Sequence, residues 1–324
     1  LKAKYTDKIA EAYSYFGFPQ VPLEFQLVDE SEEMRAMQEA FFEERREEEA
    51  IYTKQALADF EIRDKEKASN PPALFVYDIV SGKERLLFQS NLHDKQAENL
   101  RSSYIKWDNG NGGKSGAIVR YPFNYDPSVK YPAIVSIYEK KSRQQHVYTS
   151  PFEKIGSSIN YRAYVSRGYF VIEPDIDYVI GMPGYSATNS VQMALDTLSG
   201  KLSLDMDRLG LIGHSFGGYQ TNFIITQTKR FKAAVSSSGV SDLTTRYLTY
   251  SKEYKKPDMW RMESWQVRMG KSLFEDYDGY ISNSPVFQSH KVTTPLLLVT
   301  GREDKVVEAD QSVAMFLALK RQSK

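Results

Sequence analysis

The residues whose types and spacing most clearly allow chemistry lie in one run, Gly213-His214-Ser215-Phe216-Gly217-Gly218. An apolar run, Leu209–Ile212, precedes them and predicts a buried strand, while residues 219–228 have the spacing of a helix. A strand, a sharp glycine-bounded turn and a helix form the setting in which such a serine acts as a nucleophile. The glycines leave room where strand and helix meet, and the turn exposes the Ser215 hydroxyl beside the N–H groups that begin the helix. This spacing predicts acyl transfer to Ser215.

A serine hydroxyl is a weak nucleophile, so it needs a base, and the base needs an orienting acid. Asp304 is the predicted acid because it follows a strand-like run, Leu296–Thr300, at the edge of the sheet where catalytic groups gather. When a serine nucleophile stands on such a strand-to-helix turn of an α/β sheet, the histidine comes after the acid in the chain. All four histidines precede Asp304: His93, His146, His214 and His290. The base and the last strand are therefore expected beyond Lys324, in a chain truncated at its carboxyl end.

Composition excludes several other kinds of protein. The 324 residues carry no net charge, which gives no global attraction to nucleic acid, and no apolar run reaches membrane-spanning length. The absence of cysteine excludes disulfides, thiolate metal sites and cysteine nucleophiles. No clustered His and Asp ligand pattern occurs, so we expect neither a metal nor an organic cofactor. Compartment and oligomeric state stay open.

From about residue 100 onward, apolar runs alternate with segments able to form helices. The runs that predict strands are Ala133–Tyr138, Tyr169–Ile172, Leu209–Ile212, Ala233–Ser236 and Leu296–Val299. The predicted helices are Ile159–Ser166, Ser190–Gly200, Tyr219–Thr228 and Gln311–Lys320. Continuous apolar strands that alternate with helices predict an α/β fold, a doubly wound and mostly parallel sheet of the α/β-hydrolase kind.

Residues 1–92 differ from the rest. Residues 29–50 are strongly acidic and predict a charged, solvated helical insertion, whereas Leu74–Tyr77 and Arg85–Phe88 predict a hairpin. Two strands cannot form a core of their own, so this region is expected to be the end of a larger β-structure.

Several stretches in sequence order carry a resemblance to the prolyl oligopeptidase family of serine peptidases. The matching stretches are Trp107-Asp108, Tyr131–Tyr138, Arg167–Tyr169, Asp207–Tyr219, Phe231–Val235, Ser284-Pro285 and Pro295–Val307. The resemblance implies the carboxyl-terminal remnant of a β-propeller in residues 1–92 and a peptidase domain in residues 93–324, truncated at both ends. It makes Ser215 the nucleophile and Asp304 the acid. The Tyr138 hydroxyl and the Phe216 N–H would hold the oxyanion, although Glu139-Lys140-Lys141 replaces the family's Gly-Gly.

The first interpretation is a serine peptidase acting on peptides through an acyl-enzyme, inactive as this fragment because its histidine is missing. One alternative is a carboxylesterase on the same fold, because the serine motif does not distinguish an ester from an amide. Another is a non-catalytic binding module. Aromatic residues between Ser236 and Ser284 are predicted to fold over the site as a cap: Tyr247, Tyr250, Trp260 and Trp265.

Overall fold

The computed structural model describes residues 59–110, 112–151 and 159–324. The acidic stretch at residues 29–50 lies outside these ranges. Contacts divide the chain into two units. Of the described residues, 59–61 and 78–83 belong to the first unit, and all the others belong to the second. Of the region predicted to end a β-propeller, the structure describes residues 59–92, and that assignment stays a prediction.

A small sheet lies at the beginning of the described chain. Its strands are β1 (Phe60–Lys67), β2 (Asn70–Asp78) and β3 (Glu84–Gln89), in the order β1-β2-β3. Strands β2 and β3 are antiparallel, with Leu74 opposite Phe88 and Tyr77 opposite Glu84. The predicted hairpin is confirmed.

A seven-stranded sheet forms the body of the molecule. Its strands are β4 (Ser102–Asp108), β5 (Lys114–Arg120), β6 (Tyr131–Ile137), β7 (Phe170–Pro174), β8 (Leu204–His214), β9 (Ala233–Ser237) and β12 (Leu296–Val299). Their order is β12-β9-β8-β6-β7-β5-β4. Strand β5 is antiparallel to both β4 and β7, whereas the pairs from β7 to β12 are all parallel. The predicted α/β class with a mostly parallel sheet is confirmed.

Helices connect the strands and cover the sheet. They are α1 (Arg162–Val165), α2 (Pro183–Ser199), α3 (Phe216–Gln227), α4 (Leu243–Tyr247), α5 (Met259–Glu263), α6 (Tyr277–Ser282) and α7 (Ala309–Arg321). Helix α2 begins seven residues before its predicted start at Ser190, because Pro183 occupies its first turn, where a missing N–H costs nothing. None of the helices in the described ranges is both long and apolar enough to cross a membrane.

The core explains the continuous apolar run in the interior strand β7. All five residues of β7 are buried, and helices α2 and α7 contribute Val191, Leu195 and Met315 to the same hydrophobic cluster. A strand buried on both faces of the sheet has no solvent-facing side, so its residues need not alternate between apolar and polar. The sheet therefore holds its parallel strands in fixed register, with their carboxyl ends along one edge.

A second hydrophobic cluster includes residues from beyond the carboxyl ends of the strands. Its buried members include Phe216, Tyr219, Tyr247, Met269 and Val307. The segment between β9 and the 3-10 helix Pro285–Lys291 supplies much of this cluster. Sequence signals for regular structure are weak there, yet the segment contains α4, α5, α6 and the two-residue strands β10 (Tyr250–Ser251) and β11 (Lys256–Pro257).

Candidate active site at the carboxyl edge of the sheet

Ser215 occupies a tight turn between strand β8 and helix α3. Its backbone has φ +56° and ψ −117°, a conformation that non-glycine residues rarely adopt and that costs about 1–3 kcal/mol. The N–H of Ser215 donates to the carbonyl of Ser237 on the neighbouring strand at 2.7 Å, and this bond helps to hold the turn. The half-buried serine is thus fixed at the sheet edge.

Close packing around the turn requires its glycines. A Cβ at Gly213 would overlap the carbonyl group of Gly217, and a Cβ at Gly217 would overlap the carbonyl oxygen of Ile137. At Gly218 a Cβ would lie 2.7 Å from the Cα of Gly239. Each clash is with backbone, which cannot move aside as the end of a side chain can. The strand, the turn and the helix can approach this closely only without side chains.

The start of α3 supplies unpaired donors next to Ser215. The N–H of Tyr219 donates to the carbonyl of Ser215 at 3.0 Å and begins the helical ladder. The N–H groups before it, including that of Phe216, have no acceptor within the helix. Together with the helix dipole they favour an anionic oxygen at this point. The Phe216 ring stacks on Tyr178 and Tyr219, with centroids 5.9 Å and 5.5 Å away.

Tyr138 comes directly after β6, the strand that lies beside β8. In the parallel register Ile137 pairs with Gly213, so Tyr138 and Ser215 both follow closely on this pair at the same sheet edge. The hydroxyl oxygen of Tyr138 accepts a hydrogen bond from Gln266 Nε2 at 3.2 Å. Its backbone carbonyl accepts one from the Tyr178 hydroxyl at 3.3 Å. The position suits a hydroxyl that meets a reactant on Ser215.

Asp304 lies in the loop after β12, two strands away from β8. One oxygen of its carboxylate accepts the N–H groups of Val306 at 2.9 Å and Val307 at 3.0 Å. Burial raises the pKa of Asp304, but these two bonds, the Ser238 hydroxyl and nearby His214 outweigh it, so the pKa lies below its usual value. Asp304 is therefore an anion at neutral pH, as an acid that orients a histidine must be.

The histidines do not complete a triad within the described residues. His93, His146 and His290 are exposed. The Nδ1 atom of His214 lies 3.1 Å from the Ser237 hydroxyl oxygen. In the part of the chain that the structure describes, no histidine ring is hydrogen-bonded to Ser215 or Asp304.

The predicted aromatic cap separates into two groups. Tyr247 is buried in the cluster that contains Phe216, and its hydroxyl donates to Glu263 at 2.6 Å. Trp260 and Trp265 stack on each other with centroids 4.8 Å apart. Trp265 and Tyr250 are more than half exposed, at 53% and 59%. The structure places Tyr247 in the cluster of Phe216, the residue after Ser215, while a substrate-contacting role for the other three stays a prediction.

The residues that follow Tyr138 are held by partners that the sequence did not reveal. Arg268 pairs with Glu139 at 2.8 Å. Buried Lys141 pairs with Glu173 at 3.0 Å, and its N–H donates to Asp175 at 2.6 Å. These contacts explain how a Glu-Lys-Lys stretch is accommodated where the resembled family has glycines. Their partners lie 30 to 130 residues away in sequence, and no local motif marks them.

An open cavity of about 590 Å³ lies elsewhere, lined by residues of the β4–β5 hairpin, the loop after β7 and α2, among them Trp107, Asp177 and Tyr185. None of the predicted site residues lines it. Across the described ranges, no group of three or more acidic or histidine side chains could hold a metal ion.

Comparison with known proteins gives matches over most of the described chain. A family model described as prolyl oligopeptidase family matches residues 181–324. Another, described as DNA polymerase III polC-type N-terminus II, matches residues 1–73, most of which lie outside the described ranges. An uncharacterized peptidase, YuxL, of Bacillus subtilis is 29% identical over 209 residues, covering 63% of this chain and 30% of the relative. Dipeptidyl-peptidase 5 of Porphyromonas gingivalis is 27% identical, with the same coverage.

Solved structures share the fold. An acylaminoacyl peptidase of Pyrococcus horikoshii superposes with a TM-score of 0.67 at 23% identity, covering 82% of this chain and 42% of that one. A puromycin-hydrolyzing peptidase of Mycobacterium tuberculosis gives 0.62 at 21% identity, covering 82% and 40%. The chain spans about a third of the length of the curated relatives it matches.

Proposed function

Because residues 181–324 belong to the prolyl oligopeptidase family, we propose that this protein is a serine peptidase that cleaves peptides through an acyl-enzyme on Ser215. The observation that carries the proposal is the strained Ser215 turn at the head of α3, at the same sheet edge as Tyr138 and the Asp304 loop. A strained turn of this kind persists because the surrounding packing over-determines it, and such turns cluster at catalytic sites.

In the first step the Ser215 oxygen attacks the peptide carbonyl carbon, and its proton passes to the base. The carbonyl oxygen becomes an oxyanion, which accepts hydrogen bonds from the Phe216 N–H and the Tyr138 hydroxyl. Loss of one such donor typically lowers the rate by about a hundredfold or more. The base then gives its proton to the leaving amine, and the acyl-enzyme remains. Water, activated by the same base, attacks the ester and releases the second product.

The base in this proposal is a histidine outside the present 324 residues, oriented by Asp304. Two observations support this position of the base. None of the four histidines of the chain is hydrogen-bonded to Ser215 or Asp304, and the lowered pKa of Asp304 keeps its carboxylate anionic. Without that histidine Ser215 remains a weak nucleophile, and we expect these 324 residues alone to hydrolyse peptides slowly, through the oxyanion donors only.

The test uses an extended protein, meaning this chain together with the sequence that follows Lys324 in its gene. We expect it to hydrolyse peptidyl anilides and to lose this activity with Ser215→Ala. A matched series of peptidyl esters separates a peptidase from a carboxylesterase, which would cleave the esters alone. Absence of both activities in a folded, extended protein would favour a binding module and contradict the proposal. A gene that ends at Lys324 would contradict the proposed position of the base.

A further inference from the structure

Among the residues that the structure describes, Gln266 is the hydrogen-bond partner of the Tyr138 hydroxyl. The Gln266 side-chain nitrogen donates to the Tyr138 hydroxyl oxygen at 3.2 Å across 128 residues of sequence. Both side chains are partly buried. An amide nitrogen carries only donor hydrogens, so the tyrosine acts as acceptor in this bond and its own O–H proton is left for another acceptor.

Gln266 is held in place by the segment around it. Val267 and Met269 are buried in the cluster that contains Phe216, so the chain alternates inward and outward like a strand. The N–H of Val267 donates to the carbonyl of Arg261 at 3.0 Å, and that of Met269 donates to Met262 at 2.8 Å. With Val267 and Met269 anchored in the cluster, Gln266 lies on the other side of the segment, where its side chain binds the Tyr138 hydroxyl.

The same segment contacts the tyrosine's surroundings a second time through Arg268. Its guanidinium lies 4.3 Å from the ring centre of Tyr178, whose hydroxyl donates to the Tyr138 carbonyl, and it pairs with Glu139 at 2.8 Å. Arg268 has φ +60°, an unfavourable conformation for arginine that the contacts on both sides maintain. Arg268 thus connects the segment that presents Gln266 to Glu139, the residue after Tyr138, and to Tyr178, which binds the Tyr138 carbonyl.

We propose that Gln266 is a positioning residue that turns the Tyr138 hydroxyl proton toward the oxyanion formed on Ser215. This inference rests on the proposed function, because it takes Tyr138 as an oxyanion donor. A hydroxyl that accepts a hydrogen bond also becomes a stronger donor, since bonds in a chain polarise one another. Gln266 thus orients the proton and strengthens the bond it makes, without contacting the substrate itself.

A double-mutant cycle in the extended protein tests the inference. Gln266→Met removes the donor while keeping the length of the side chain. We expect kcat for a peptidyl anilide to fall about tenfold, the size of one lost hydrogen bond, with KM changed less than about twofold. In the Tyr138→Phe background the same substitution should change kcat less than about twofold, since no hydroxyl remains to be oriented.

Gln266→Glu distinguishes positioning from mere packing. A carboxylate nearly matches the amide in shape, so a structural role predicts that Glu restores more activity than Met. A carboxylate accepts the tyrosine proton and draws it away from the oxyanion, so the positioning role predicts lower kcat for Glu than for Met. If Gln266→Met does not fold, Gln266→Ala takes its place in the cycle.

Gln227→Met is the matched control. Its amide donates to Gln288 at 2.7 Å from the far end of α3, roughly 16 Å along the helix from Phe216. We expect its kcat to stay within about twofold of wild type.

Three results would overturn the role of Gln266: equal losses for Gln266→Met in both Tyr138 backgrounds, better activity for Gln266→Glu than for Gln266→Met, or no loss for Tyr138→Phe. Activity that survives Ser215→Ala would instead overturn the proposed function itself.

Discussion

Gly217 in helix α3 lies in direct backbone contact with Ile137 in strand β6, so that a side chain on Gly217 would overlap the Ile137 carbonyl oxygen. Ser215 stands two residues before Gly217, and Tyr138 directly follows Ile137. The contact therefore joins the turn that carries the proposed nucleophile to the strand end that carries a proposed oxyanion donor. Because both partners are backbone, the separation of these two groups is set by the fold itself.

Gly217→Ala should therefore disrupt both stability and the site. The added methyl cannot be accommodated without moving strand or helix, and such overpacking typically costs about 1–3 kcal/mol or more. We expect a clearly lower Tm in thermal unfolding. Gly200→Ala is the matched control, because φ is −82° there and the nearest atom to an added Cβ is 3.8 Å away. A Gly217→Ala protein as stable as Gly200→Ala would show that the contact is looser than described.

Asp304→Asn tests the proposed acid. Asparagine keeps an oxygen that can accept the N–H groups of Val306 and Val307, so the loop should stay folded while the charge is lost. With the charge gone, the histidine is no longer held in the required tautomer, and kcat of the extended protein should fall about a thousandfold or more. Glu303→Gln removes the neighbouring exposed carboxylate and should leave kcat nearly unchanged. Comparable losses for both variants would count against Asp304.

Arg246→Met should destabilise the protein strongly. Arg246 is 1% exposed and pairs at 2.5 Å with Asp258, whose side chain is fully buried, and it also binds Glu308. Without Arg246, buried Asp258 keeps only the longer ion pair that the structure describes, to Arg261 at 3.4 Å, and breaking a buried pair costs about 3–5 kcal/mol. Arg208→Met, which breaks a pair whose arginine is mostly exposed, should cost less than about 1 kcal/mol. Urea unfolding of both variants measures the difference, and equal losses would contradict this account.

Asp94 should contribute stability that depends on pH. Hydrogen bonds from Arg162 and Tyr148 outweigh the effect of burial and lower the Asp94 pKa from 3.8 to about 2. A depressed pKa stabilises the folded state above the unfolded value, and this contribution is lost as pH falls from about 4 toward 2. The shift corresponds to about 2 kcal/mol near neutral pH.

The measurement compares Tm of wild type and Asp94→Asn between pH 7 and pH 3. We expect a large deficit at pH 7 that narrows below pH 4, near the unfolded value of 3.8. Asp108→Asn, at an exposed pair 3.9 Å from Lys114, should change Tm little at any pH. A deficit for Asp94→Asn that stays constant across this range would show that the carboxylate charge is not its source.

Much of the sheet could be predicted from the sequence because its signals are local. The interior strand β7 is buried throughout, and such burial leaves a continuous apolar run. Strand β12 gives the same signal because Leu296–Val299 are all apolar, although it ends the strand order and leaves Leu297 and Val299 exposed. The Ser215 turn is predictable for the same reason, since contacts within a few residues and with the adjoining strand require its glycines. Patterns of this kind do not depend on knowing which distant segments meet.

The surroundings of Tyr138 could not be predicted in this way. Gln266, Arg268 and Tyr178 reach it from loops that are far away in sequence, and single hydrogen bonds leave no periodic signal. The segment after β9 carries few signals of regular structure in its sequence, because its helices have only five or six residues each. Such short helices depend on tertiary packing and on caps such as Asp242 rather than on propensity.

The most direct test of the central proposal is covalent labelling of the extended protein with a fluorophosphonate probe, followed by identification of the modified peptide. We predict a single adduct on Ser215, abolished by Ser215→Ala and weakened by Asp304→Asn, with little or no labelling of residues 1–324 alone. Absence of an adduct on Ser215 in the folded, extended protein would contradict the nucleophile. Strong labelling of residues 1–324 that is lost on changing His146 or His290 would contradict the proposed position of the base.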